Sequence, residues 1–150
     1  MRGKRNDEGF SIVELMIVVV VASIILSITV PRLLQARRSA IEASAVQTLR
    51  NYTSAQLTYL ATTGSYGNYG TINDLVRVGL VDATLVGGVK SGYRYNFVLG
   101  NPPISYTVNA DPSIVDTDSR FFFTNETGVI RFNIGAPADE NSQPIPEFQN

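Results

Sequence analysis

The chain has no cysteine, no histidine and no tryptophan. These absences remove thiol nucleophiles, disulfide staples, imidazole bases and the commonest zinc ligands, and most familiar hydrolase mechanisms go with them. Lysine is scarce as well. Lys4 and Lys90 are the whole supply, so a Schiff base or a phosphate clamp would rest on Lys90 once the N-terminal stretch is set aside. Nor is there a basic excess: 12 Lys and Arg face 13 Asp and Glu, for a net charge of -1, and no dedicated nucleic-acid surface is expected. The stretch GGVKSG lacks the spacing of a phosphate loop. No enzymatic activity and no cofactor are expected.

What the chain does have is one long apolar block, Phe10 to Val30, interrupted only by Ser11, Glu14, Ser23, Ser27 and Thr29. As a helix at about 1.5 Å per residue it would reach roughly 30 Å, the thickness of a bilayer core. A secretory signal would have a shorter core and a small-residue cleavage site behind it. Here no such site closes the run, and helical patterning continues past Pro31. Arg2, Lys4 and Arg5 precede the span and favour a cytoplasmic N-terminus, but Arg32, Arg37 and Arg38 follow it, so charge counting alone does not fix the orientation.

Glu14 is the anomaly of this block. A carboxylate in a membrane span costs on the order of 2 to 3 kcal/mol and calls for a partner. A cut between Gly9 and Phe10 would create one, because the new α-amine at Phe10 is cationic and lies four residues from Glu14 in a segment otherwise free of charge. In a low-dielectric bundle an amine and a carboxylate attract strongly, and pairing offsets much of the cost of burying either. In a stack of identical helices, Glu14 of one subunit can meet the Phe10 amine of its neighbour and set the axial register.

The stretch GFSIVELMIVVVVASIILSITVP resembles the N-terminal signature of type IV pilins and of type II secretion pseudopilins. The shared features are a basic leader ending in glycine, Phe10, a glutamate at the fifth mature position and an apolar helix, with Pro31 at the twenty-second mature position. The resemblance implies removal of residues 1–9 by a membrane prepilin peptidase, N-methylation of Phe10 and assembly into a helical homo-oligomeric filament. Assembly would need an inner-membrane platform and a separate cytoplasmic ATPase, since the chain shows no motor of its own. The pairing of the leader motif with FFFTNETGVIRF is similar to a cysteine-free subgroup of pilin-like proteins from Gram-negative envelopes. Many type IV pilins close a C-terminal loop with a disulfide, which this chain cannot do.

Beyond Pro31, which lacks a backbone donor and clashes with the carbonyl four residues earlier, a kink or local melting is expected at Ser27–Pro31. Val46, Leu49, Thr53, Leu57 and Leu60 then recur at helical spacing and predict a stripe packed on a sheet. Arg37, Arg38, Glu42 and Arg50 lie among these turns as possible contacts to a neighbouring subunit, or as a solvated face. Turn formers in TTGSYGNYG predict the end of the helix, with Tyr66 and Tyr69 as packing or contact residues. A short helix is expected over 72–78, with Asn73 or Asp74 near its start and Gly79 at its end. Tyr93–Leu99, Ser105–Ala110, Arg120–Thr124 and Val129–Asn133 read as strands, and NETG as the turn between the last two. From Gly135 the proline-dotted sequence predicts a loosely packed tail.

Two further patterns are weighed against simpler explanations. Asp111, Asp116 and Asp118 in ADPSIVDTDSR are candidate calcium ligands, as in pseudopilins with a comparable loop, but the stretch lacks the glycine and closing glutamate of an EF-hand and also reads as a solvated acidic turn. Tyr52, Tyr59, Tyr66 and Tyr69, with Phe10, read as packing aromatics rather than a conducting path. The sequons at Asn51 and Asn125 carry no weight in a bacterial chain.

The fold class expected is therefore α+β, with a long N-terminal helix and a small antiparallel meander of about four strands. The segments are a leader (1–9), a transmembrane and filament-core helix (10–30), its amphipathic continuation (31–63), an αβ-loop and sheet domain (64–134) and a polar tail (135–150). The function expected is a pilin held by lipid in the inner membrane, N-terminus cytoplasmic and domain periplasmic, before polymerising into an extracellular pilus for motility, adhesion or attachment. The alternative is a pseudopilin forming a short periplasmic filament that drives protein export.

Overall fold

The computed structural model describes residues 9–63 and 67–146. Arg2, Lys4 and Arg5 of the leader, Tyr66 of the helix–sheet connection and residues 147–150 of the tail lie outside the described residues. The chain divides into two compact units, Met1–Ser39 and Ala40–Asn150.

Helix α1 runs from Ile12 to Thr62, contains no glycine and has Pro31 as its one internal proline. Residues 27–31 are helical, so the local melting expected there is absent from this structure. Cooperative helix propagation on both sides outweighs one missing donor. Two hydroxyls turn back onto the helix here: Ser27 Oγ donates to the Ile24 carbonyl and Thr29 Oγ1 to that of Ile25, both at 2.8 Å.

In the second unit, α1 buries Ala45, Thr48, Leu49, Tyr52, Ala55 and Gln56. The expected stripe holds at Leu49 and is otherwise rotated. Val46, Thr53 and Leu60 lie half-buried at its margin, and Leu57 is 54% exposed. Alanines let the sheet approach closely, and the larger Tyr52 and Gln56 side chains fill the intervening space. Short helix α2, Ile72–Arg77, carries Asp74 in its first turn, as expected, and is capped by Thr71. Its capping box is reciprocal: the Asp74 amide donates to Thr71 Oγ1 at 3.2 Å, and the Thr71 amide to Asp74 Oδ2 at 3.1 Å. A 3-10 turn follows at Ala83–Gly87.

The sheet is an antiparallel meander of six strands in sequence order: β1 Val89–Lys90, β2 Tyr93–Leu99, β3 Tyr106–Pro112, β4 Arg120–Asn125, β5 Arg131–Ile134 and β6 Gln143–Pro144. The four expected strands are β2 to β5, and the two-residue edge strands are additions. Alternation along β2 and β3 turns Tyr93, Tyr95, Tyr106, Val108 and Ala110 inward. With Phe122 and Ile130 they form the main core against Ala45, Leu49, Tyr52 and Ala55. Tyr52 is the aromatic hub, its ring 4.7 Å from that of Phe97 and 5.6 Å, edge to face, from that of Tyr106.

The segment after Gly135 departs from expectation through residue 146. Phe121 and Phe123, on the opposite face of β4 from Phe122, form a second cluster with the buried Ala138. Asn109 Nδ2 donates to the Ala138 carbonyl at 3.0 Å, Arg131 Nη1 to that of Ser142 at 3.0 Å, and β6 pairs with β5. Polar residues thus strap this segment over the outer face of the sheet by hydrogen bonds, in a chain that has no cysteine to fasten it. Its polar composition reflects those bonds, not loose packing.

Candidate assembly site at the helix N-terminus

Gly9 and Phe10 precede α1, and the first helical bond runs from the Leu15 amide to the Ser11 carbonyl at 3.2 Å. Glu14 therefore sits in the first turn, where the exposed amides and the positive end of the helix dipole favour a carboxylate. From Ile12 to Leu34 every described residue is exposed, all the way round the helix. Phe10 is 76% exposed. The stretch is long and apolar enough to cross a membrane, and a helix apolar on every side is stable only where lipid or other apolar helices surround it.

Within that stretch polar groups are handled differently. Ser23 Oγ donates to the Val19 carbonyl at 2.7 Å, and Ser27 and Thr29 return their hydroxyls to the helix in the same way, so these three do not burden an apolar environment. Among the described residues, the Glu14 carboxylate has no hydrogen-bond or ion-pair partner. In an apolar surround a carboxylate calls for a partner from outside the helix.

The other residues singled out by sequence take structural places. Glu42 is turned to the sheet, its Oε2 3.3 Å from Arg120 Nη1, while Arg120 also lies 5.5 Å from the Phe132 ring centroid. Arg37, Arg38 and Arg50 are exposed. Tyr69 packs edge to face on Tyr106 at 4.9 Å, and its amide donates to the Pro103 carbonyl. Asp111 is the penultimate residue of β3, with a buried Oδ1, and Asp116 and Asp118 belong to the β3–β4 turn. Burial pushes the Asp111 carboxyl above its usual value, with Arg94 partly opposing it. No group of three acidic residues suited to a metal occurs among the described residues.

One positioning residue escaped sequence reasoning. Gln56 is fully buried and clamps the chain leaving α1: its Nε2 donates to the Gly70 carbonyl at 2.8 Å, and the Gly70 amide returns to Oε1 at 3.0 Å. Gly70 must lack a side chain, since a Cβ would stand 2.9 Å from the Tyr59 ring. The only sequence signal was a glutamine where the periodicity of α1 asks for an apolar residue.

Comparison with known families and proteins bears on the first thirty residues. Residues 4–30 match the family model described as the prokaryotic N-terminal methylation motif. No curated protein and no solved structure matches the chain. The match falls on the residues that carry the resemblance, GFSIVELMIV, and supports a methylated N-terminal signal like that of type IV pilins and type II secretion pseudopilins over residues 4–30.

Proposed function

We propose that the chain is a prepilin whose mature form polymerises into an extracellular type IV pilus-like filament. The observation that carries this reading is Glu14, without a partner among the described residues, in the first turn of an all-round apolar helix behind Gly9 and Phe10. A prepilin peptidase removes residues 1–9, and the same class of enzyme methylates the Phe10 amine, which stays cationic. Residues 10–30 hold the subunit in the inner membrane, with residues 64–134 and the strap outside the cytoplasm. On assembly the helix moves from lipid into the core of the fibre, one apolar environment replacing another, so the transfer is nearly balanced in free energy. Glu14 of each subunit pairs with the Phe10 amine of the next.

Pro31 then serves as the weak point of α1. Under axial load, the helix opens first where a backbone hydrogen bond is already missing. The amphipathic continuation, 31–63, carries the sheet domain on the fibre surface.

Glu14→Ala tests the pairing. Insertion and cleavage should be retained while fibre yield collapses, as read by immunoblot of membranes and of sheared surface material. Normal fibre yield from that variant would remove the carboxylate from assembly. Fibres confined to the envelope would instead mark the chain as a pseudopilin.

A further inference from the structure

The turn between β3 and β4 displays apolar side chains that the domain does not use. Ile114 is 85% and Val115 61% exposed, and Ile134 stands exposed at the same end of the sheet, where β5 pairs with the start of β4. The turn is nevertheless well held. Ser119 is buried; its Oγ donates to Asp116 Oδ1 at 2.8 Å and accepts from the Asp116 amide at 2.9 Å, and its carbonyl accepts from the Gly135 amide. An internally bonded turn that keeps two β-branched side chains in water is shaped for a partner.

We infer that this turn, residues 114–118, docks on α1 of a second copy of the chain, around Leu34 and Arg37. The complement there is both apolar and electrostatic: Leu33 and Leu34 are exposed, and Arg32 and Arg37 stand exposed beside them, opposite in charge to the exposed Asp118. A membrane surface fits less well, because an acidic turn is repelled by anionic lipid headgroups.

The inference rests on the filament reading, which supplies the second copy. The start of the turn is anchored within its own domain: the Ser113 amide donates to the Gly92 carbonyl at 2.9 Å, and the Ile41 side chain lies 3.4 Å from where a Cβ on Gly92 would be.

The absence of cysteine supplies a clean test. Full-length chains carrying Leu34→Cys and Ile114→Cys are co-expressed, and sheared fibres are oxidised and run on non-reducing gels. A mixed disulfide-linked dimer is expected when both chains are present, severalfold stronger than any dimer from either alone. Arg37→Glu should lower fibre yield severalfold, and adding Asp118→Arg to the same chain should restore it. Fibres that form normally but yield no mixed dimer overturn the contact and leave the filament reading standing. Failure of the unaltered chain to form any polymer overturns both. Quenching of a fluorophore on full-length Ile114→Cys by nitroxide lipids, in vesicles of phosphatidylethanolamine and phosphatidylglycerol, would assign the turn to the bilayer and overturn the contact.

Discussion

Buried polar side chains decide much of the stability of the sheet domain. Burial pushes the Tyr52 phenol up to about 12, with the Gln56 hydrogen bond partly opposing the shift, and burial raises Tyr95 and Tyr106 in the same direction. The native state therefore holds these protons more tightly than the unfolded chain does. The Tyr52 contribution is complete below pH 10, the ordinary tyrosine value, and is lost as pH rises toward 12. Denaturant midpoints of the full chain in detergent should be unaffected by tyrosine titration up to pH 9 and fall steeply above pH 10. A midpoint that stays level through pH 11 would contradict the burial of these phenols. Gln56→Leu should cost about 1–3 kcal/mol, because it strands the Gly70 amide and carbonyl without partners. The same unfolding curves report it. Sequence reasoning found Glu14 because a charge in an apolar run is conspicuous. It missed Gln56 because a polar residue on an amphipathic helix reads as solvent-facing until the chain that covers it is placed.

Among the elements, those written in strong local patterns were legible. Alternation in YRYNFVL marks β2 to the residue, and NETG marks the β4–β5 turn, where Gly128 adopts a φ of +75°. The buried face of α1 was less legible, since Ala45, Ala55 and Gln56 give little hydropathy signal and the exposed Leu57 gives a misleading one. β1 and β6 have two residues each, too few for periodicity to register. Thr71 could have been found from its spacing to Asp74, and Thr71→Val should cost about 1 kcal/mol through loss of the cap. The strap is the most consequential element missed. Ala138→Asp would force a carboxylate between Phe121 and Phe123, so residues 135–145 should become sensitive to limited proteolysis while the far-UV circular dichroism is largely retained. Unchanged protease resistance would show that Ala138 does not hold the strap.

At the scale of the whole molecule, the two units have opposite requirements. Ala40–Asn150 has its own core, centred on Leu49, Phe122 and Val108, whereas residues 10–34 bury almost nothing of their own. A chain beginning at Ala40 should be soluble and monomeric by light scattering, and the full chain should require detergent. Aggregation of the shorter chain would mean that the domain depends on the apolar segment to fold. On the proposed reading, the apolar surround for α1 and the cation for Glu14 would both come from further copies of the chain, once Phe10 becomes the N-terminus.

The most direct measurement is accordingly the intact mass and N-terminal sequence of the protein from sheared surface fibres, with membranes analysed in parallel. A mature chain beginning at N-methylated Phe10 in the sheared fraction is the expected result. A chain that retains residues 1–9 in every fraction would contradict the pairing of Phe10 with Glu14 and the filament built on it.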